Sequence, residues 1–204
     1  NTLNITARYH FEAFKPLLEE ICSLSDPQVR KNILTAVNSN GSNILMTAIQ
    51  FHQLQSANLF LEKIDDLDQE MKIKLLTDTN RYYESVLSLA CEHQPELVLP
   101  LWKKIQKLPI SAEQKGNILI GNGYKSPLIV AITKQPQFIA PLLDIIKTFF
   151  AERDDLLIRV YDEAMRAASS PAGLATLLEN TVSKEPSPQE LEHLSHALTR
   201  SYNQ

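Results

Sequence analysis

Four segments of this chain align on one another at a nearly constant step. They are Phe14-Lys-Pro-Leu-Leu-Glu-Glu-Ile21, Ser56-Ala-Asn-Leu-Phe-Leu-Glu-Lys63, Val98-Leu-Pro-Leu-Trp-Lys-Lys-Ile105 and Ile139-Ala-Pro-Leu-Leu-Asp-Ile-Ile146. Their third positions, Pro16, Asn58, Pro100 and Pro141, stand 42, 42 and 41 residues apart. A second block keeps the step in Asn43-Ile-Leu-Met-Thr-Ala-Ile49, Ser85-Val-Leu-Ser-Leu-Ala-Cys91 and Ser126-Pro-Leu-Ile-Val-Ala-Ile132. A third, marked by Ile33-Leu34, Leu75-Leu76 and Ile118-Leu119, precedes each of these. Three blocks recurring in one order define an internal repeat, and a repeat confines a chain to architectures in which each unit packs on its neighbours.

Each block reads as a helix. In the second, apolar residues fall at i, i+1, i+4 and i+5, one stripe on a 3.6-residue period, and Ala48, Ala90 and Ala131 permit close helix approach. Asn43, Ser85 and Ser126 stand where an N-cap oxygen is wanted, and Pro127 suits a first helical position. Ser111-Ala-Glu-Gln114 reads as a capping box whose helix Gly121 would end, and Asp26-Pro27 opens the equivalent helix earlier in the chain. Only five glycines occur, and no segment shows strand alternation bounded by hairpin signals. The reading is all-α: repeats over 22–64, 65–107 and 108–150, three helices in each, after a partial first unit. The repeat region is residues 1–150. Residues 151–204 read as a helical C-terminal cap, with helices over Arg153–Ala168 and from Ser187-Pro-Gln-Glu190 onward.

Asn122-Gly-Tyr-Lys-Ser-Pro-Leu-Ile-Val-Ala-Ile132 resembles the ankyrin repeat, which has a turn glycine and then Thr-Pro-Leu-His-x-Ala. Gly123 fits the turn, Ser126-Pro127-Leu128 stands for Thr-Pro-Leu, and Ala131 fits the alanine. Asn40–Ala48 fits with Ile44 in place of Pro, and Asn80–Ala90 fits more loosely, lacking both Gly and Pro. The step of 41–42 residues exceeds the ankyrin period of about 33. The surplus lies in the third block, which makes the expected architecture an α-solenoid of ankyrin-like repeats with an extra helix per repeat. A three-helix repeat of this length also overlaps armadillo and HEAT architecture. Long, degenerate repeats of this kind resemble those in effector proteins of intracellular bacterial pathogens.

The resemblance implies a protein-binding scaffold, with a host protein as partner if the effector likeness holds. It places the binding surface on the turns before the middle helix and on that helix's outward side. Here the turns carry Asn38-Ser39-Asn40, Arg81-Tyr82-Tyr83 and Tyr124-Lys125. Exposed Tyr and Arg are favoured at interface hot spots, which makes Arg81, Tyr82, Tyr83, Tyr124 and Lys125 the candidate contact residues. The plainer alternative is that the tyrosine rings pack over the next repeat.

Charge supplies a second candidate surface. The net charge of −4 disfavours nucleic acid as a partner. Yet Lys103, Lys104, Lys107, Lys115, Lys125 and Lys134 cluster, and Glu62, Asp65, Asp66, Asp68 and Glu70 form an acidic stretch expected at a separate end. The lysines read either as a solvated outer face or as a patch for an anionic partner, whether an acidic protein, a phospholipid headgroup or nucleic acid. A further alternative is a non-catalytic regulatory domain of a larger enzyme.

Catalytic and metal chemistry find little support. Cys91 shares the repeat column of Ile49 and Ile132, so it reads as a small buried residue, with His93 pointing elsewhere. Glu190, His193 and His196 could share a helix face, but structural zinc wants four ligands. No phosphate loop or nucleophile elbow occurs. No cofactor and no metal are expected, and the chain reads as a monomer and not an enzyme. No apolar run reaches the roughly 18 residues that span a bilayer. The first residues have neither the basic start nor the apolar core of a signal peptide. Two distant cysteines, Cys22 and Cys91, suit a reducing compartment, which for an effector would be the host cytosol.

Overall fold

The computed structural model describes residues 2–121 and 125–150, which are helical with no strand among them. In chain order the helices are α1 (Thr2–Tyr9), α2 (Phe11–Ser23), α3 (Pro27–Leu34), α4 (Ile44–Gln50), α5 (Leu54–Ile64) and α6 (Gln69–Thr77). They continue with α7 (Val86–His93), α8 (Val98–Gln106), α9 (Ala112–Ile120), α10 (Pro127–Lys134) and α11 (Ile139–Phe149). The all-α reading therefore holds. Each expected repeat contains three helices: α3, α4 and α5, then α6, α7 and α8, then α9, α10 and α11. The expected cap over 151–204 lies outside the described residues.

Local chemistry explains the helix starts. Asn43 Oδ1 accepts from the Met46 amide at 3.0 Å, Ser85 Oγ from Ser88 at 3.1 Å and Ser126 Oγ from Ile129 at 3.2 Å. Each satisfies one of the amides that a helix leaves without an internal partner. Asp26 does the same for Gln28 and Val29. Ser111 and Gln114 cap each other reciprocally, at 2.9 and 3.1 Å, and α9 ends at Gly121, whose φ is 68°. The proline column explains another difference. Pro100 and Pro141 sit in the first turns of α8 and α11, where no amide is needed, and the residues before them form single 3-10 turns, Pro95–Leu97 and Pro136–Phe138. Asn58 takes that place in α5, which runs unbroken from Leu54.

The chain divides into two compact units, Asn1–Ile118 and Leu119–Gln204. In the first, α4 packs against both α1 and α7, the helices 42 residues to either side, and against α5 behind it. α1 also packs on α2 and α7 on α8, so α1 with Leu3, Asn4 and Ala7 buried is the first member of the row. In α4 every residue from Ile44 to Ile49 is buried, and in α7 every residue from Val86 to Cys91. A helix buried on all sides is a core element. In the second unit, α10 is likewise buried from Pro127 to Ile132 and packs on α11.

Polar groups inside the first unit are joined into a network. Asn43 Nδ2 donates to the carbonyl of Leu75 at 3.0 Å, tying the start of α4 to α6. The Thr47 hydroxyl lies 3.0 Å from Asn4 Oδ1, joining α4 to α1, and accepts from Asn38 Nδ2 at 3.3 Å. Asn4 Nδ2 in turn donates to the Ala36 carbonyl at 3.3 Å. A satisfied network of this kind fixes register, because any slip leaves buried polar groups without partners.

Ala48, Ala90 and Ala131 are each 0% exposed, as the stripe requires. Replacing Ala90 with Leu should overpack the row and lower stability by about 1–3 kcal/mol, read from the urea midpoint. An unchanged midpoint would show that the alanine column does not set helix spacing.

Candidate binding surface

The turns before α4 and α7 are built by the same bonds. Asn38 Oδ1 accepts from the amides of Asn40 and Ser42 at 2.9 and 3.0 Å, and the Asn38 amide donates to Ser42 O at 2.9 Å. Forty-two residues on, Asn80 Oδ1 accepts from Tyr82 and Glu84 at 2.9 and 3.0 Å, and its amide donates to Glu84 O at 3.0 Å. In each turn one further amide closes on the asparagine carbonyl, that of Gly41 at 2.9 Å and that of Tyr83 at 3.0 Å. Asparagine suits this role because its side chain mimics a turn of backbone. The second turn lacks the glycine of the resemblance but keeps the geometry.

The two turns also hold each other. The Arg81 amide donates to Asn40 O at 2.9 Å, and Asn80 Nδ2 reaches Ser42 Oγ at 3.4 Å. Gly41 has φ 78°, and a Cβ there would lie 3.2 Å from both Cγ and N of Arg81. Backbone angle and close approach both call for glycine. The position equivalent to Gly41 is Tyr83, with φ 62°. A bulky residue in the left-handed region is an outlier, which the asparagine-centred turn imposes on it.

Of the candidate contact residues, Arg81, Tyr82 and Tyr83 come together on this one turn. Tyr82 is 55% and Tyr83 67% exposed, so neither ring is packed away over a neighbouring repeat. Glu84 is drawn inward by Asn80 Nδ2 at 2.8 Å, leaving Arg81 as the charge at the tip. Tyr124 lies outside the described residues, and Lys125 is half-buried in the second unit. One expectation fails: the outward side of the middle helix offers no contact surface. Residues 44–49 and 86–91 are buried on every side, because neighbouring helices enclose α4 and α7. The turn residues Arg81, Tyr82 and Tyr83 before α7 are exposed.

The lysines are distributed differently from expectation. Lys103 and Lys107 are exposed, but Lys104 Nζ meets Asp65 Oδ2 at 2.8 Å, and Lys115 Nζ donates to Gln106 O at 2.8 Å. Lys134 is exposed on α10, in the second unit. The acidic stretch is no separate end: Asp65 takes Lys104, Glu70 pairs with Lys31, and Lys72 Nζ donates to Asp65 O at 2.8 Å. Stacking places a residue beside one 39 positions away, which brings opposite charges together.

Burial pushes the Cys91 thiol up to about 12, which keeps it protonated, and the His93 ring lies against His52. Among the described residues no three of His, Cys, Asp and Glu gather as a metal cluster. Glu190, His193 and His196 lie outside those residues. Among the described residues no helix is long and apolar enough to cross a membrane.

The hydrogen bond from Lys104 holds the Asp65 carboxyl below its ordinary range, opposed by slight burial and helped by the charges of Lys104, Lys107 and Lys72. A depressed carboxyl stabilises the fold above its unfolded value and loses that contribution as pH falls through the folded one. Lys104→Gln should raise the Asp65 titration midpoint, followed by NMR. It should lower stability at neutral pH by less than about 1 kcal/mol, since this pair is exposed and screened by salt. An unmoved Asp65 midpoint would break the assignment of this pair.

No protein-family model matches the chain, and no curated protein matches it. A solved structure similar to it is that of the predatory endopeptidase Bd0816 from Bdellovibrio bacteriovorus in complex with the immunity protein Bd3460. The likeness has a TM-score of 0.49 at 16% identity and covers 97% of this chain and 92% of that chain.

Proposed function

We propose that this chain is a non-catalytic, ankyrin-like protein-binding module that grips its partner through the Arg81-Tyr82-Tyr83 tip. The observation that carries the reading is the conformation of Tyr83. Its backbone is left-handed, its side chain is the most exposed of the large hydrophobic ones among the described residues, and the equivalent place one repeat earlier is a glycine. A left-handed L-residue costs roughly 1–2 kcal/mol. A residue that keeps a strained backbone while its ring touches little of its own fold is one whose ring serves something outside it.

The tip has the chemistry of an interface anchor. Two tyrosines give broad amphipathic rings with few torsions to fix, and Arg81 adds a charge that binds carboxylates bidentately. Bonds within the turn and one backbone bond to the neighbouring turn, from the Arg81 amide to Asn40 O, hold the tip in shape before contact, which lowers the entropy lost on binding. The partner is accordingly a protein surface with an acidic rim around an apolar depression. The resemblance to bacterial effectors makes a host protein the first candidate. An anionic-lipid role for the lysines is less favoured, because Lys104 is already engaged by Asp65.

Tyr83→Gly should keep or raise stability, by up to about 1 kcal/mol, because relief of strain outweighs the added freedom of the unfolded chain. The double variant Tyr82→Ala/Tyr83→Gly should remain folded by circular dichroism. It should lose partners captured by the wild-type protein from host-cell lysate, with a deficit of roughly 2 kcal/mol or more by calorimetry once a partner is isolated. If the double variant retains every partner, the tip is not the binding face.

A further inference from the structure

The first helix of the row carries a second surface, independent of the tip. At the 42-residue step, Thr2, Ile5 and Tyr9 of α1 take the places of Ile44, Thr47 and Phe51 in α4 and of Val86, Leu89 and His93 in α7. In α4 this face is the one turned to the preceding helix. The Thr47 hydroxyl meets Asn4 Oδ1, the Phe51 and Tyr9 ring centroids are 6.5 Å apart, and the Arg8 guanidinium lies 3.6 Å over the Phe51 ring. Thr47 and Leu89 are accordingly 2% and 1% exposed, whereas Ile5 and Tyr9 are each 56% exposed. Thr2 is exposed as well, and residues 2, 5 and 9 fall on one side of the helix.

The end of a stacked array needs a polar outer face. α2 has one, exposing Glu12, Lys15, Glu19 and Glu20, but the outward stripe of α1 is apolar. A whole further repeat laid on this end would press on α2 too, since α2 packs on α5 as α1 packs on α4, and would take those charges out of water. The stripe therefore fits one helix and not a repeat. α1 is itself a helix of the required kind. In an antiparallel pair of α1 helices centred between residues 5 and 6, small Thr2 falls opposite large Tyr9 of the other copy, and Ile5 falls opposite Thr6. The Thr6 hydroxyl already donates to Leu3 O at 3.1 Å, so its burial strands no donor. Arg8 lies 4.5 Å over the Tyr9 ring and holds it in place before contact. We propose that the Thr2–Ile5–Tyr9 face of α1 is a homodimer surface, on which a second copy of this chain lays its own α1 antiparallel. This departs from the monomer expected of the sequence. An interface one helix wide is smaller than that of a permanent complex, so the dimer is weak and forms with rising concentration.

The test is sedimentation velocity on the full, untagged chain in reducing buffer, over a concentration series that reaches the millimolar range. The weight-average sedimentation coefficient of the wild type should climb from the monomer value towards that of a dimer. Ile5→Lys alters an exposed position, so it should stay folded by circular dichroism and remain monomeric throughout. Leu99→Lys, at another exposed apolar position on α8, should dimerise as the wild type does. A second measurement tests the pairing itself. Ile5→Cys sets two thiols near the two-fold axis, so oxidation with diamide should give a covalent dimer on a non-reducing gel. Leu99→Cys and the wild type, whose Cys22 is half-buried and Cys91 buried, should give none. A wild type that stays monomeric at every concentration overturns the proposal. So does association that survives Ile5→Lys; if it is lost instead in Tyr82→Ala/Tyr83→Gly, the copies meet through the tip.

Discussion

Everything described in the first unit depends on the burial of the middle helices. α4 is enclosed by α1, α7 and α5, which leaves none of its residues from Ile44 to Ile49 exposed. The enclosure is possible because Ala48 and Ala90 take almost no room. It is strong because six consecutive residues in each helix leave water together. With helix spacing fixed by alanine and register fixed by the Asn4–Thr47–Asn38 network, the segments at the ends of the row have little freedom left. One set of ends forms the asparagine-centred turns, and the other carries the paired histidines. The asparagine-centred turns and the His52–His93 contact are therefore products of one packing arrangement.

Much of this was legible in the sequence, and the reason is locality. An N-cap needs an oxygen and an amide three residues apart, so Asn43, Ser85 and Ser126 could be read directly, as could Ser111–Gln114. The apolar stripe is local in the same sense, and it gave α4, α7 and α10 with their buried alanines. What escaped the reading depends on how one repeat sits upon the next. Lys104 meets Asp65 through an offset of 39 residues, while the sequence repeats at 42, so the charges looked segregated on paper. The closure of the middle helix on its outward side is likewise a matter of neighbours.

The turns show the limit most sharply. Asn38 and Asn80 share a register, and that signal was present. The absence of glycine and proline made Asn80–Ala90 a looser fit to the ankyrin pattern, whereas the asparagine side chain supplies enough bonds to hold Tyr83 in glycine's conformation. Turn chemistry was thus carried by the first residue of the turn and not by the residue under strain. His52, left-handed at φ 56° just beyond the end of α4, was missed for a related reason: a left-handed helix terminus is usually sought at glycine.

The connection between α9 and α10 differs from its two predecessors. Nine residues separate α3 from α4 and eight separate α6 from α7, but only six separate α9 from α10. Gly121, left-handed and with a virtual Cβ 2.7 Å from Ser126 Cα, brings the chain round in the shorter span, and Ser126 still caps its helix. Loop length is thus a coordinate that can vary independently of the cap and stripe that follow it. A lineage carrying such repeats can trim or extend its turns by small insertions and deletions without disturbing the buried row, so the turns can diverge faster than the fold.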